Sequence, residues 1–512
     1  MVKRESHSSD HLTGGSHRRI MTTKLATAIA AFFLLASIAV IIAISTVQVK
    51  QRTYLSPGLK YGIVLDAGSS RTTVYLYEWP AEKENNTGVV TQTTKCPVKG
   101  PGISEINAEA WNSLKKCMEN ITSFIPPHQH KSTPISLGAT AGMRLLKQKN
   151  EKQSNDVLFE IQKYLRSLPF DFHNASIISG QEEGLYGWIT VNYLMGNFLE
   201  KNIWNAWVHP HGARTVGSLD LGGASTQIAF TAPSDTTGED LIKISLYGYE
   251  YNVYTHSFLC YGKNEAEKQV LAELVKLSND WLHIYHPCYP LGYETTMNGE
   301  DIFSSECTKH RTPTGYSPEK SFTFIGQSNP AACKSLVNRI FDLSSCQGKE
   351  YCSFNGVYQP PVTGDFMAYA GFFYTAGILD LKGSNSLEKF NSSVWSFCSK
   401  DWKTLKTTFN ITEKHLKSYC YSANYVHTIL ADGYKFNADN WEKLDFQKEV
   451  NKTSIAWSLG YMLAQSNMIP AEAKLLKLPI SNSVFATLLF LFSALTIITL
   501  MFLIITLVRI CY

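Results

Sequence analysis

Two short segments of this 512-residue chain share one local pattern, and the repetition limits what the chain can fold into. Residues 66–70 read DAGSS and residues 220–225 read DLGGAS. In each case an acidic residue ends an alternating apolar segment, a glycine turn follows, and a second alternating segment comes after it. That order predicts two matching hairpins, each a strand, a turn and a strand, and it excludes strand-to-helix units. The flanking segments are residues 61–65, 72–79, 216–219 and 226–230.

The composition of both turns suits a bound phosphate group. Glycine lets backbone N–H groups approach an anion closely, and the neighbouring hydroxyl groups add donors. A carboxylate is repelled by a phosphate, so Asp66 and Asp220 make sense when a divalent cation that keeps several of its waters lies between them. Either segment alone also fits an ordinary hairpin turn. The pair favours one metal ion held between two lobes.

Both ends of the chain carry a long apolar run. Residues 25–47 and 484–508 contain no charged residue, and each exceeds the roughly 20 residues needed to cross a bilayer. We interpret the first run as a retained signal anchor, with a cleaved signal peptide as the alternative. Basic residues are concentrated before it, which predicts that residues 1–24 are cytoplasmic. The second span would return residues 509–512 to the cytoplasm, leaving residues 48–59 and 476–483 as stalks of an extracytoplasmic domain.

Cysteines and glycosylation sequons test this topology independently. Ten of the eleven cysteines lie between the two spans, which predicts five disulfides in an oxidising compartment, with only Cys346 and Cys352 suggested as a local pair. The ten are Cys96, Cys117, Cys260, Cys288, Cys307, Cys333, Cys346, Cys352, Cys398 and Cys420. The six sequons also lie between the spans, at Asn85, Asn120, Asn174, Asn391, Asn410 and Asn451. Cys511, outside them, is either a palmitoylation site or a plain apolar residue.

Charge and motif content exclude several classes of function. The formal net charge is +4, and no basic stripe occurs outside the N-terminal tail, so we expect no nucleic-acid partner. The chain has no Walker loop, no HExxH zinc motif and no GxSxG elbow. The usual hydrolase signatures are therefore absent from the sequence.

Alternating α/β elements follow each predicted hairpin, which favours two similar lobes around a cleft. We assign residues 60–190 to lobe I, completed by residues 440–475, and residues 191–439 to lobe II. The cysteine-, proline- and aromatic-rich region 247–365 is predicted to form disulfide-pinned insertions in lobe II. Helices are predicted at 105–125, 155–168, 185–195, 366–379, 394–405, 421–432 and 455–464.

To hydrolyse a phosphoanhydride, an enzyme must hold the phosphoryl group in place, neutralise its negative charge with a metal ion and hydrogen-bond donors, and align a water for attack. Glu183 is the candidate to orient and deprotonate that water, because it lies at a predicted strand-to-helix junction where a helix N-terminus favours an ionised carboxylate. The alternative is that Glu182 and Glu183 only supply favourable charge to the first turn of a helix.

Five segments together resemble the ecto-nucleoside triphosphate diphosphohydrolases, or ectoapyrase family. They are DAGSSRT (66–72), GATAGMR (138–144), GQEEGLYGW (180–188), LDLGGASTQ (219–227) and AWSLGYML (456–463). With the two spans, they resemble the cell-surface branch of that family. The resemblance implies an α/β fold of the actin, Hsp70 and sugar-kinase-like superfamily, with two RNase H-like lobes around a cleft. It also implies extracellular conversion of nucleoside tri- and diphosphates to monophosphates and orthophosphate with Ca²⁺ or Mg²⁺.

The resemblance also assigns roles by motif position. Its phosphate-binding residues correspond to Ser69, Ser70, Arg71, Gly222, Gly223 and Ala224. Its residues around the hydrated cation correspond to Asp66, Asp220, Thr140 and Trp457. The general base corresponds to Glu183, with Ser225 and Gln227 positioning the water, and Tyr374 is the candidate to stack on the nucleobase.

Three of these positions have structural alternatives, and one further motif residue has a structural interpretation of its own. Thr140 also fits a helix cap, and Trp457 also fits an ordinary buried aromatic residue. Arg144, in the second motif, also fits a structural ion pair. Helical core packing is the alternative for Tyr374. The residue types alone do not decide between these interpretations.

Together these features predict a plasma-membrane ectoenzyme with two spans and cytoplasmic termini, which reshapes extracellular nucleotide signalling. Its expected partners are nucleoside tri- and diphosphates and the lipid bilayer. A homo-oligomer formed through the membrane helices is a further expectation, although neither span has a strong GxxxG pattern. The alternatives are a kinase, for which no acceptor pocket is indicated, a Golgi or lysosomal diphosphatase, and an inactive glycoprotein receptor on the same fold.

Overall fold

The computed structural model describes residues 13–50, 53–55, 58–84, 87–203, 206–233, 236–381, 383, 385–467, 475–477 and 479–511. The chain divides into two compact units. One unit comprises residues 1–57 and 472–512, and the other comprises residues 58–471. The second unit contains every residue of the predicted site.

The α-helices of the described residues are named in chain order. They are α1 (Thr13–Lys50), α2 (Ala108–Ser123), α3 (Ala141–Lys149), α4 (Glu151–Arg166), α5 (Gly180–Leu194), α6 (Lys263–Leu277), α7 (Gly299–Phe303), α8 (Pro330–Asn338), α9 (Gly371–Ile378), α10 (Leu387–Cys398), α11 (Trp402–Thr408), α12 (Glu413–Leu416), α13 (Tyr419–Thr428), α14 (Trp457–Ser466) and α15 (Asn482–Cys511).

The strands are named in the same way. They are β1 (Thr53–Leu55), β2 (Leu59–Ala67), β3 (Thr72–Pro80), β4 (Thr91–Pro97), β5 (Pro134–Ala139), β6 (Asp171–Ile177), β7 (Glu200–Lys201), β8 (Trp207–Val208), β9 (Gly217–Leu221), β10 (Ser225–Thr231), β11 (Leu241–Leu246), β12 (Tyr249–Leu259), β13 (Ile284–His286), β14 (Glu294–Asn298), β15 (Ser321–Gly326), β16 (Phe366–Ala370), β17 (Leu444–Phe446), β18 (Glu449–Val450), β19 (Thr453–Ser454) and β20 (Leu475–Lys477).

The first unit is a pair of long helices. Helices α1 and α15 pack against each other, and the hydroxyl groups of Ser37 and Thr496 hydrogen bond between them at 2.7 Å. The segments Thr22–Lys50 and Asn482–Cys511 are long and apolar enough to cross a membrane. They contain the predicted spans, residues 25–47 and 484–508. Strands β1 and β20 pair in antiparallel orientation within the same unit.

Two sheets of the second unit repeat one topology. In the first, with strand order β4-β3-β2-β5-β6, β2 is antiparallel to β3 and parallel to β5. In the second, with strand order β11-β12-β10-β9-β16-β17, β9 is antiparallel to β10 and parallel to β16. Strand β11 is an additional edge strand of the second sheet. The other five strands of that sheet correspond in order and direction to the five strands of the first sheet. The two predicted hairpins are therefore equivalent central hairpins of two similar sheets.

A hydrophobic cluster joins the two sheets. Val64 and Tyr77 come from the first sheet and Ala229 from the second, and they pack with Trp188 of α5 and Leu459 of α14. Helices α5 and α14 also contact each other, so they lie between the sheets. Because each helix carries a candidate catalytic or cation-binding residue, this packing brings the motifs of both sheets together.

The ten cysteines form five disulfides, which confirms that prediction. The local pair Cys346–Cys352 is among them. The other pairs, which spacing did not assign, are Cys96–Cys117, Cys260–Cys307, Cys288–Cys333 and Cys398–Cys420. Cys511 is an exposed free cysteine. Five of the six sequon asparagines are exposed, and Asn85 lies outside the described residues.

Three element predictions were wrong. The single helix predicted at 394–405 is two helices, α10 and α11, separated at residues 399–401. Residues 366–370 form strand β16, whereas a helix was predicted from 366 to 379, and only Gly371–Ile378 is helical. The strand is buried between two parallel neighbours, β9 and β17, so its apolar residues follow no period of two that would separate it from a helix. Helix α5 starts at Gly180, not at 185, because Ser179 and Glu182 form a capping box.

Candidate active site

The turns of the two central hairpins face each other closely. Between β9 and β10, a Cβ atom added to Gly223 would lie 2.4 Å from the Ser70 Oγ atom and 2.7 Å from the Ser69 Oγ atom. Both serines belong to the turn between β2 and β3. The side chain of Asn264, at the start of α6, donates a hydrogen bond of 3.2 Å to Ser70 Oγ. A side chain at position 223 would therefore require the two turns to separate or the serine side chains to rotate.

Three linked cavities run outward from the turns, and we call them the inner, middle and outer chambers. The inner chamber measures about 200 Å³ and is lined by Asp66, Glu183 and Asp220 together with both turns. The middle chamber, about 280 Å³, shares Ser70, Arg71, Gly222 and Gly223 with the inner one. The outer chamber, about 820 Å³, shares Ser70, Arg71 and Tyr374 with the middle one.

The second glutamate of the GQEEG segment faces the inner chamber. The side chain of Glu182 accepts a hydrogen bond of 2.8 Å from the Ser179 backbone N–H, as part of the capping box of α5. Glu182 therefore stabilises the first turn of α5, which was the alternative interpretation for both glutamates. Glu183 lies one position further along the helix, 8% exposed, and lines the chamber.

A polar network holds the Glu183 carboxylate. Its Oε2 atom accepts hydrogen bonds from the Arg144 guanidinium and from Gln227 Nε2, the latter at 3.1 Å. Gln227 Nε2 also donates to Ser225 Oγ at 2.7 Å, and Arg144 Nη2 donates to the same oxygen at 3.2 Å. Arg144 thus forms the ion pair expected of a structural residue, and its partner in that pair is Glu183, the candidate base.

Gln227 and Ala224 do not line the inner chamber among the described residues. Gln227, only 2% exposed, touches Glu183 and Ser225, so its contact with the chamber is indirect. The Ala224 carbonyl accepts a hydrogen bond of 2.8 Å from the Cys260 N–H. The Gly222 and Gly223 carbonyls likewise accept from Lys263 and Asn264 N–H groups at 2.8 and 2.9 Å.

These carbonyl contacts orient the turn. In a trans peptide the N–H group points away from the carbonyl of the preceding residue. With the Gly222 and Gly223 carbonyls directed at the start of α6, the N–H groups of Gly223 and Ala224 point away from that helix. Successive N–H groups on one side of a turn form the concavity that binds phosphate oxygens.

Thr140 and Trp457 both line the inner chamber together with Asp66. Thr140 occupies the N-cap position of α3, but its side chain makes no capping hydrogen bond, and the residue lines the inner chamber. Trp457, 3% exposed, donates a hydrogen bond of 2.8 Å from Nε1 to Asp66 Oδ1. A Cβ atom added to Gly138 would lie 2.3 Å from the Trp457 ring, so this glycine leaves room for the indole.

Burial perturbs all three carboxylates of the inner chamber. The pKa of Asp66 is raised to about 7, mainly by desolvation and less by the nearby Glu183, while the Trp457 hydrogen bond and Arg71 oppose the rise. Desolvation, with repulsion from Glu183 and Asp66, raises the pKa of Asp220 well above its usual range. Desolvation also raises the pKa of Glu183, an effect that the charge and hydrogen bond of Arg144 oppose.

The inner chamber fits a hydrated divalent cation. Buried carboxylates that repel one another are stabilised by a cation between them, and oxygen donors suit a hard cation. Across the described part of the chain, no three His, Cys, Asp or Glu side chains gather as a direct ligand set. A cation at Asp66 and Asp220 would therefore complete its coordination with water and phosphate oxygens.

Two tyrosines mark the outer chamber. Tyr374 is 45% exposed and lines it, which argues against helical core packing as its role. Tyr419, at the start of α13, lines the same chamber, and repulsion between the two hydroxyl groups contributes to the raised pKa of Tyr419 after desolvation. Sequence reasoning missed Tyr419, because it lies in none of the five motifs.

Comparison with known proteins agrees with this geometry. Residues 54–478 match the sequence model of the GDA1/CD39 (nucleoside phosphatase) family. The chain is 53% identical over 483 residues to ectonucleoside triphosphate diphosphohydrolase 3 of Homo sapiens, covering 93% of this chain and 91% of the relative. The protein of the same name from Mus musculus is 52% identical, with coverage of 92% and 90%. The segment WPAEKENNTG (79–88) likewise resembles type 3 members.

A solved structure supports the fold. The nucleoside triphosphate hydrolase structure from Neospora caninum superimposes with a TM-score of 0.55, covering 80% of this chain and 93% of that chain. The two sequences are only 14% identical, so this similarity concerns the fold alone. It agrees with the two-lobed α/β fold expected from the repeated hairpins.

Proposed function

The chain belongs to the GDA1/CD39 (nucleoside phosphatase) family, and on that premise we propose that it hydrolyses extracellular nucleoside tri- and diphosphates to monophosphates and orthophosphate. The observation that carries this proposal is the inner chamber, where Asp66, Glu183 and Asp220 line one cavity together with the two glycine turns. Intact carboxylates in this arrangement also argue against an inactive receptor. Removal of extracellular ATP and ADP would regulate purinergic signalling.

In this proposal the terminal phosphate lies between the two turns. Ser69, Ser70 and Arg71 bind it from one sheet, and the N–H groups of Gly223 and Ala224 bind it from the other, with Gly222 closing that turn. Arg71 offsets charge on the phosphate oxygens as the bond to the leaving group breaks. A bound divalent cation, held through waters by Asp66, Asp220, Thr140 and Trp457, would supply further charge stabilisation.

Glu183 acts as the general base in this scheme. Its Oε2 atom is held by Arg144 and Gln227, while its Oε1 atom accepts no hydrogen bond from the described residues and is free to take a proton from water. Ser225 Oγ accepts from both Arg144 and Gln227, which directs the serine proton elsewhere. That proton can be donated to the attacking water, and Glu183 and Ser225 together align it for in-line attack.

The nucleoside is proposed to occupy the outer chamber. Tyr374 and Tyr419 both line it, and an aromatic ring binds a nucleobase by stacking. Stacking tolerates any base, which suits a broad nucleotide substrate range. For the cation we propose Ca²⁺ or Mg²⁺, since carboxylate and water oxygens are the ligands that both ions prefer.

We further propose a plasma-membrane location with two spans, cytoplasmic termini and an extracellular catalytic domain. Five disulfides and five exposed sequon asparagines within residues 58–471 support an oxidising, glycosylating route for that domain. The lobe boundaries and a homo-oligomer formed through the membrane helices remain predictions. Surface biotinylation tests the location against a Golgi or lysosomal one.

One experiment tests reaction, sidedness and cation dependence together. ATP is added to intact cells that express the full chain, and ATP, ADP, AMP and orthophosphate are followed with and without a membrane-impermeant chelator. We expect AMP and orthophosphate to accumulate outside the cells, and the chelator to stop this. Loss of ATP without free orthophosphate would indicate a phosphotransferase, and activity only after permeabilisation would contradict the extracellular site.

A further inference from the structure

The charges of the middle and inner chambers differ. The charged residues that line the middle chamber, within the described ranges, are Arg71, Lys95, Lys263 and Lys448, and no carboxylate is among them. The inner chamber combines three carboxylates with Arg71. The inner chamber therefore suits a cation with a phosphate, whereas the middle chamber suits further anionic groups without a cation.

Lys95 and Lys448 are distant in sequence but are held by one hairpin. Lys448 directly precedes β18, which pairs with β19, and the Lys448 carbonyl accepts a hydrogen bond of 3.3 Å from the Ile455 N–H. Lys95, on β4 of the first sheet, donates a hydrogen bond of 2.5 Å to Ser454 Oγ on β19. The two lysines thus line one chamber from different parts of the chain.

We propose that Lys95 and Lys448 bind the non-terminal phosphates of the substrate and favour triphosphates over diphosphates. This inference rests on the proposed hydrolysis of both. In either substrate, the phosphate under attack must lie in the inner chamber beside Glu183. The remaining phosphates then extend through the middle chamber toward Tyr374, so a triphosphate places two phosphates there and a diphosphate places one.

The larger anionic charge makes the triphosphate more sensitive to loss of the two lysines. Both side chains are exposed, so water and salt reduce each interaction, and the selectivity should weaken as ionic strength rises. We expect the double variant to lose about tenfold in the ratio of kcat/KM for ATP to kcat/KM for ADP at low salt, a factor that corresponds to about 1.4 kcal/mol.

The test uses the full-length chain in isolated membranes. The variants are Lys95→Gln, Lys448→Gln and the double variant, and kcat/KM for ATP and for ADP is measured on the same preparation. The ratio is independent of the amount of folded enzyme, so partial misfolding does not obscure the result. Lys99→Gln, Lys443→Gln and their double variant are matched controls, because they make the same charge change close in sequence to Lys95 and Lys448, but neither lysine lines the chamber in its described part.

A second readout separates phosphate binding from base binding. Inorganic tripolyphosphate has no nucleoside, and its inhibition constant against ADP hydrolysis should rise about tenfold in the double variant at low salt. Lys→Arg replacements, which keep the charge, should restore both the ratio and the inhibition constant.

The outcomes are distinct. A lower ATP-to-ADP ratio with weaker tripolyphosphate inhibition supports the inference. A ratio equal to that of the double control, or an equal loss for both substrates, overturns it while leaving the hydrolase function in place. A wild-type enzyme that releases no orthophosphate from either nucleotide refutes the proposed function itself.

Discussion

Gly223→Ala is the sharpest test of the paired turns. The added methyl carbon would lie 2.4 Å from Ser70 Oγ and 2.7 Å from Ser69 Oγ, against roughly 3.5 Å for an ordinary contact. Either the turns separate by about 1 Å, or the serines rotate out of the phosphate-binding turn. A displacement of that size at a reacting centre costs about 10²-fold in rate. We therefore expect kcat/KM for ATP to fall about 10²-fold, equivalent to about 2.7 kcal/mol.

The assay is orthophosphate release by full-length protein in membranes at saturating cation, normalised to the biotinylated surface amount. The matched control is Gly377→Ala in α9, where the added methyl group meets nothing within 4 Å. The control should retain wild-type turnover and unfold at the same or a slightly higher temperature, because alanine favours a helix over glycine. If Gly223→Ala kept kcat/KM within threefold of wild type, the close approach of the turns would not be needed for catalysis.

Four further substitutions test individual roles. Glu183→Gln should lower kcat at least 10²-fold, which is about the contribution of a general base, and leave the KM for ATP nearly unchanged. Glu182→Gln can still cap α5, so its kcat should stay within twofold of wild type. Equal losses of kcat in the two variants would contradict Glu183 as the general base. Trp457→Phe deletes the 2.8 Å hydrogen bond that holds down the pKa of Asp66, so the pKa of Asp66 should rise further. The half-saturating Mg²⁺ concentration should then increase about tenfold at pH 7. An unchanged Mg²⁺ titration would contradict a role for this hydrogen bond. Tyr374→Ala and Tyr419→Ala should each raise the KM for ATP about tenfold without altering tripolyphosphate inhibition. Tyr285→Ala, at an exposed tyrosine, is the control. Weaker tripolyphosphate inhibition would place the defect in the phosphate site.

The parts of the fold that the sequence predicts are those that repeat or that obey a strong local rule. Each turn segment is ambiguous alone, but the two together predict equivalent hairpins, and β2-β3 and β9-β10 are those hairpins. The cysteine count predicts five disulfides, but only the six-residue separation of Cys346 and Cys352 suggests a pair. The other pairs depend on how distant segments pack, which spacing does not reveal.

The errors arise where tertiary context overrides local pattern. Residues 366–370 read FMAYA and are followed directly by a helix, so one apolar run contains two elements. The strand is fixed by parallel pairing with β9 and β17, which belong to distant parts of the chain. Single-sequence periodicity cannot detect such a partner. The start of α5 was predicted late because the glycines of GQEEG favour a loop, whereas the capping box extends the helix to Gly180.

The same distinction applies to the site and explains its organisation. The groups that would carry out bond cleavage lie in short motifs, since each turn or helix start must place several neighbouring atoms at once. The residues that would recognise the rest of the substrate, such as Lys95, Tyr419 and Lys448, are single side chains on separate elements, and a single lysine or tyrosine carries no local signal. The three carboxylates of the inner chamber do not line the described parts of the middle and outer chambers, where Lys95, Lys448, Tyr374 and Tyr419 lie. Substitutions of Lys95, Lys448, Tyr374 and Tyr419, which do not line the inner chamber in its described part, should therefore change which nucleotide is preferred while the reaction itself is kept.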